Sequence, residues 1–281
     1  MTTSQNDAIN THLSKNIEII SIEGNIGSGK TTFLSYLKDK LKNFQNVLFV
    51  DEPVDEWNEI KDGETTLLQK FYEDNNKYAF QLQIVALTTK LMALTKAIET
   101  ANHLLLTYKR VYIITERSLY TDKFVFAKML YDNGIMNSIS YSIYNKYFAV
   151  DANIYATKII YIKTDPNNCH NRINVRNRAG EKQIDESYLL NCNKYHEEYI
   201  SIMEKNNIQI FTINGNKDIN ETPNLLKNWY INVLNFVNFK TSSYIFKTQI
   251  FKSINNSNNL TYLNMFLNYR QNNKNHKNKL K

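Results

Sequence analysis

Apolar residues recur along the chain with two different spacings. Five short runs are rich in apolar residues: residues 17–22, 47–50, 111–115, 158–162 and 208–213. Runs this short and this apolar read as strands buried on both faces. Between them the apolar positions fall every three or four residues, which predicts helices over 31–41, 167–177, 186–205 and 223–236. A longer helical pattern covers 67–106 and breaks near 74–76; another covers 120–147 and breaks at Asn133–Gly134. Strands that alternate with helices predict an α/β protein. Its doubly wound sheet of about five parallel strands is flanked by helices and joined by right-handed crossovers. Such sheets take ligands at the carboxyl ends of their strands.

Composition refines this outline. A chain of 281 residues, 42% of them hydrophobic, can bury one sizeable core. The formal charge of +7 is unevenly spread: residues 240–281 hold eight Lys or Arg and no acidic residue, leaving the rest at −1. Three parts are therefore expected: a polar arm (1–16), a near-neutral domain (17–239) and a basic, Asn/Lys-rich extension (240–281). A solvated extension is the simpler reading of the last part, with nucleic-acid binding as its alternative. No apolar stretch approaches 18 residues, so no membrane span is expected. The first 16 residues lack both an apolar core and Arg, which predicts neither a secretory nor a mitochondrial leader and favours a cytoplasmic protein. Two cysteines, Cys169 and Cys192, are too few for a disulfide framework and read as packing residues.

The chemistry begins after the first strand. Gly24-Asn25-Ile26-Gly27-Ser28-Gly29-Lys30-Thr31, followed by Thr32, fits GxxxxGK[ST] between a predicted strand and a predicted helix. Backbone N–H groups of such a P-loop turn inward around phosphate oxygens, and the helix N-terminus adds its positive dipole end. Lys30 is expected at the β- and γ-phosphates, and Thr31 at Mg²⁺. The guanine-reading NKxD and the switch motif DxxG are both missing from the sequence, which argues against a GTPase.

Acidic motifs follow the next two strands: Asp51-Glu52-Pro53-Val54-Asp55-Glu56-Trp57, and Glu116-Arg117-Ser118-Leu119-Tyr120. From about residue 17 to 213 the chain resembles the deoxyribonucleoside kinase family, with its motifs in the family order. That family includes deoxycytidine, deoxyguanosine and mitochondrial thymidine kinases. The resemblance implies ATP-dependent phosphorylation of a deoxynucleoside 5′-hydroxyl, with Glu52 as general base, Glu116 on the Mg²⁺ side, and Arg117 between nucleoside and phosphates. A positioned carboxylate suits an alcohol acceptor, whose proton must leave as the phosphoryl group arrives. Asp51 is expected to point away from Glu52 if the strand pleat persists.

The resemblance also implies an arginine-rich lid, Arg172, Arg176 and Arg178, over the phosphates, and Glu181 and Tyr72 at the sugar 3′-hydroxyl. Arginine suits phosphate because its planar fork binds two oxygens and stays charged. Gln83 is implied at the base edge; Gln83, Ala86 and Lys90 share a helix face. Trp57, Leu68 and Phe126 would wall the pocket. Lys90 and Asp122 occupy positions where cytidine- and guanosine-preferring members carry an Arg–Asp pair, which favours deoxycytidine or a deoxypurine over thymidine. A homodimer through the two long helices is implied as well. The alternatives are a nucleoside monophosphate kinase of the thymidylate kinase kind, and a non-catalytic relative.

Overall fold

The computed structural model describes residues 14–150, 154–178 and 180–239. The predicted basic extension, 240–281, and most of the N-terminal arm lie outside the described residues. Contacts divide the chain into two units, Met1–Asn238 and Phe239–Lys281, and the sheet with its helices lies in the first.

Five parallel strands form the sheet: β1 (Ile17–Glu23), β2 (Val47–Val50), β5 (Val111–Glu116), β6 (Lys158–Lys163) and β7 (Gln209–Asn214), in the order β2-β5-β1-β6-β7. The central strand β1 is buried along all seven residues, and Ile20 pairs with Ile114 on one side and Lys158 on the other. From β1 the chain first builds β2 and β5 on one side, then crosses to β6 on the other. That reversal opens a crevice beside the end of β1, where α/β sheets bind ligands.

The helices are α1 (Lys30–Leu41), α2 (Val54–Glu59), α3 (Leu67–Glu73), α4 (Asn75–Leu104), α5 (Leu119–Thr121), α6 (Lys128–Asp132), α7 (Ser138–Val150), α8 (Pro166–Arg176), α9 (Glu186–Lys205) and α10 (Leu225–Val237). The predicted break near 74–76 is a cap: the Asp74 side chain accepts from Lys77 N at 3.2 Å and starts α4. Helix α3 opens with a capping box, Thr66 accepting from Gln69 N at 3.2 Å and donating its own N–H to Gln69 Oε1 at 2.9 Å.

Helix α4 buries one stripe. Leu87, Leu94, Ile98 and Ala101 pack on Ile17, Ile19, Val111 and Ile113 of the sheet and on Tyr144 and Phe148 of α7. Nearer its N-terminus Leu82 and Ala86 join Trp57, Leu68 and Phe71. Burying each large aliphatic side chain is worth ~1.5–3 kcal/mol. The same stripe carries Gln83 and Lys90, so core packing fixes their direction. Cys169 and Cys192 are free and buried in helices; burial pushes their thiols up to about 11 and about 12, so both stay protonated.

Four features differ from the expectations. Residues Asp122–Ala127 form a π-helix between α5 and α6, inside the helix predicted from residue 120. The short hairpin β3 (Lys61–Asp62) and β4 (Thr65–Thr66) and the helix α2 were not predicted. A 3₁₀ turn, Glu181–Gln183, follows the lid helix. Among the described residues, no helix is long and apolar enough to cross a membrane.

Candidate active site

The P-loop joins β1 to α1 as predicted from its spacing. Gly27 has φ 78°, and a Cβ there would lie 2.5 Å from the Cys169 carbonyl of α8, so a side chain at this position would collide with backbone. Gly29, φ 100°, precedes the first residue of α1. Lys30 is buried, and its Nζ donates to the Asn25 carbonyl at 2.7 Å. Burial and the neighbouring Arg117 charge lower the Lys30 ammonium to about 7, against the pull of Glu116 and Glu52. Asn25 ties the loop to α9 by donating to the Leu189 carbonyl at 2.9 Å. Thr31 Oγ1 donates to Glu116 Oε1 at 2.8 Å.

Opposite the P-loop, four charged side chains form a connected group. Glu52 Oε2 accepts from Arg117 Nη1 at 2.5 Å, and Glu52 Oε1 lies 3.1 Å from Lys90 Nζ. Lys90 Nζ also donates to Asp122 Oδ1 at 2.7 Å. Burial opposes ionisation of Glu52, but Arg117 and Lys90 together outweigh it and hold the carboxyl well below the usual range. Asp122 behaves differently: burial raises its carboxyl despite Lys90. Lys90 is raised because Asp122 and Glu52 together overcome its burial. Asp51, one residue before Glu52, turns outward to Lys38 at 2.5 Å, although it also borders the cavity.

Arg117 sits at φ 60°, a left-handed backbone that costs a bulky residue about 1–3 kcal/mol. Its guanidinium lies 5.2 Å from the Phe126 ring centre. The π-helix brings Asp122 and Phe126 onto the cavity wall together. Three buried polar atoms in this region lack a hydrogen-bond partner among the described residues: Arg117 Nε, Gln83 Oε1 and Asp122 Oδ2.

One cavity of about 780 Å³ runs from the P-loop to α4. Ile26 to Thr32, Glu52, Trp57, Leu68, Tyr72, Gln83, Ala86, Glu116, Arg117, Asp122, Phe126, Arg172, Arg176, Arg178 and Glu181 all line it. Of the predicted site residues, Gly24, Asn25 and Lys90 do not; Lys90 lies directly behind Glu52 and Asp122. At the end of α8, Arg176 donates twice to Glu181 Oε2, at 3.0 Å from Nε and 2.7 Å from Nη2. Arg178 reaches Glu181 Oε1 at 3.4 Å, and Arg172 donates to the Lys217 carbonyl at 3.1 Å. Trp57 Nε1 donates to Thr89 Oγ1 at 2.9 Å, which fixes its ring at the wall.

A family profile described as deoxynucleoside kinase matches residues 20–238. The chain belongs to the deoxynucleoside kinase family. A probable deoxycytidine kinase of Fowlpox virus is 31% identical over 223 residues, 78% of this chain and 87% of the relative. The deoxycytidine kinase of Bos taurus is 31% identical over 66% of this chain and 75% of its own. The mitochondrial deoxyguanosine kinase of Xenopus laevis is 28% identical over 75% of this chain and 88% of its own. The protein is thus a deoxynucleoside kinase.

The kinase's cavity has further lining residues that the sequence did not single out. Tyr188 of α9 stands edge-on to Tyr72, with ring centres 6.4 Å apart. Lys217 to Asn220, after β7, and Trp229 of α10 close the P-loop end. The loop could have been found, because it follows the carboxyl end of the fifth predicted strand. Tyr188 carries no local signal.

The donor set at Thr31 and Glu116 is one hydroxyl and one carboxylate, all oxygen. Mg²⁺ is held by such a sparse set when phosphates and water supply the remaining ligands. Among the described residues no cluster of three or more His, Cys, Asp or Glu could hold a metal ion. The site therefore fits Mg²⁺ arriving with a nucleotide rather than a caged ion.

Proposed function

We propose that this kinase transfers the γ-phosphate of ATP to the 5′-hydroxyl of a deoxyribonucleoside, preferring deoxycytidine or a deoxypurine to thymidine. The product is a deoxynucleoside 5′-monophosphate for nucleotide salvage. The observation that carries the reaction is Glu52, an ionised, buried carboxylate that faces the P-loop lysine across one cavity and is bonded to Arg117. Glu52 accepts the hydroxyl proton. Arg117 is shared between that carboxylate and the phosphates, and Lys30 regains its full charge against the polyphosphate. Mg²⁺, held by Thr31 and Glu116, would neutralise charge on the β- and γ-phosphates. Arg172, Arg176 and Arg178 clamp the donor and exclude water. Glu181 shares Arg176 and Arg178 with the phosphates, and with Tyr72 it receives the sugar 3′-hydroxyl.

The base preference rests on Asp122 Oδ2 and Gln83 Oε1, two buried acceptors without a protein donor among the described residues. A base with an exocyclic amino group supplies two such N–H donors, whereas thymine offers only its ring N3–H. Deoxycytidine and deoxyguanosine are what the named relatives phosphorylate. The kinase domain spans residues 17–239, with 240–281 as a basic extension. Exposed apolar residues on one face of α7 (Ile139, Ile143 and Tyr147) support a homodimer.

Glu52→Gln tests the mechanism. It should retain nucleoside binding yet lower turnover ~10²–10⁴-fold, the usual worth of a general base. Near-normal turnover would assign the base elsewhere.

A further inference from the structure

Glu23, the last residue of β1, is fully buried and is not a cavity-lining residue. Its carboxylate is surrounded by neutral donors. Oε1 accepts from Ser118 N at 3.0 Å and from Ser21 Oγ at 2.5 Å. Oε2 accepts from Thr121 Oγ1 at 2.5 Å, and Tyr199 OH of α9 approaches Oε1 at 3.5 Å. Carboxylate oxygens accept hydrogen bonds, and these four donors suit them.

What Glu23 holds matters more than how it is satisfied. Ser118 follows Arg117, and Thr121 precedes Asp122. The carboxylate therefore grips the chain on the near side of both functional residues. Arg117 itself is bound to β1 through its backbone N, 3.0 Å from the Ile22 carbonyl. Its left-handed φ of 60° is a conformation that relaxes unless neighbouring bonds enforce it.

We propose that Glu23 is a positioning residue: it bolts the Arg117–Ser118 turn and the start of α5 to the P-loop strand, so that the Arg117 guanidinium reaches both Glu52 and the Gly24 carbonyl. The inference rests on the proposed role of Arg117 in transfer. Losing the bolt lets Arg117 move without removing it, and a shift of about 1 Å at a reacting centre can cost about 10²-fold in rate.

The test is a double-mutant cycle on kcat with Glu23→Gln and Arg117→Lys, read beside KM for the nucleoside and the thermal transition. Glu23→Gln should lower kcat about 10²-fold with a smaller change in KM. Added to Arg117→Lys, it should lower kcat no further than about twofold, because both changes spoil one interaction. Thr121→Val, which removes one of the bonds and keeps the carboxylate, should give a smaller loss of kcat that also vanishes in the Arg117→Lys background. If Glu23→Gln does not fold, Thr121→Val carries the cycle alone. Losses that multiply with that of Arg117→Lys, or a fall in melting temperature with kcat unchanged, would overturn the positioning role. Full turnover in Arg117→Lys alone would instead refute the reading of Arg117.

Discussion

Replacing Lys90 and Asp122 by leucine, singly and together, tests the charged group at the base end of the cavity. Side-chain exposures of 7% for Lys90, 3% for Asp122 and 13% for Glu52 make this a buried network. Removing one member of a buried ion pair costs about 3–5 kcal/mol, because the survivor keeps its desolvation penalty without its partner. The two single changes are not equivalent here. Lys90→Leu strips Asp122 of its cation and Glu52 of one of two. Burial already raises the Asp122 carboxyl, so it takes up a proton, and the cost falls near ~3 kcal/mol. Asp122→Leu leaves Lys90 bound to Glu52 at 3.1 Å, so its cost stays near ~1–3 kcal/mol. The double change leaves Glu52 with Arg117 and should lie within ~1 kcal/mol of the unmodified protein. Urea unfolding at pH 7 measures all four proteins. The singles should impair every substrate; the double should recover activity and shift the kcat/KM ratios toward thymidine. Lys90→Leu should also move the acid limb of kcat/KM upward. Glu52 works ionised, so activity is present above its pKa and lost below it, and removing a cation raises that pKa. Equal instability in the singles and the double, with unchanged substrate ratios, would refute the coupling and the base assignment together.

On the proposed role of Lys30, nucleotide binding should be a proton-uptake reaction. Its ammonium is lowered to about 7 in the free protein, and the polyphosphate restores the charge. At pH 8 binding should take up about one proton per site, measured from binding enthalpies in buffers of different ionisation heat, and Lys30→Met should abolish it. No uptake in the unmodified protein would sink the idea. For the proposed homodimer, Ile139→Asp with Tyr147→Asp, at residues 73% and 56% exposed, should give monomers by sedimentation without loss of the thermal transition. An unmodified chain already monomeric at micromolar concentration would end that proposal.

The five strands are legible in the sequence because each leaves a short apolar-rich run, densest where the strand is buried, as in β5. Their ends agree to within a residue or two, as with 158–162 against Lys158–Lys163. The π-helix was not legible. Six residues are too few for a period of about 4.4 to separate from 3.6, and Asp122 to Ala127 reads as ordinary amphipathic helix. The hairpin Lys61–Thr66 was missed for the opposite reason: two-residue strands of polar side chains have no periodicity at all.

The site divides along the same line. Residues that sit in motifs, just past strand ends, could be read because the chemistry demands their type at that spacing. Glu23 could not be, since its meaning comes from Ser118, Thr121 and Tyr199, which are 95, 98 and 176 residues away. Lys90 lies between these cases. Its spacing from Gln83 suggested a helix face, and its resemblance to a family arginine suggested Asp122 as partner. A lysine differs from that arginine in being a point charge on a flexible stem. Here that single charge lies between Asp122 and Glu52, 2.7 and 3.1 Å away. Asp122, on the cavity wall, is thereby linked through Lys90 to the proposed general base. On the proposed base assignment, a substrate that draws on Asp122 for a hydrogen bond should weaken its hold on Lys90, and Lys90 should then lean further on Glu52. On that assignment, base recognition and the basicity of Glu52 are coupled through one ammonium, a link that comes from the contacts of Lys90 and from no motif.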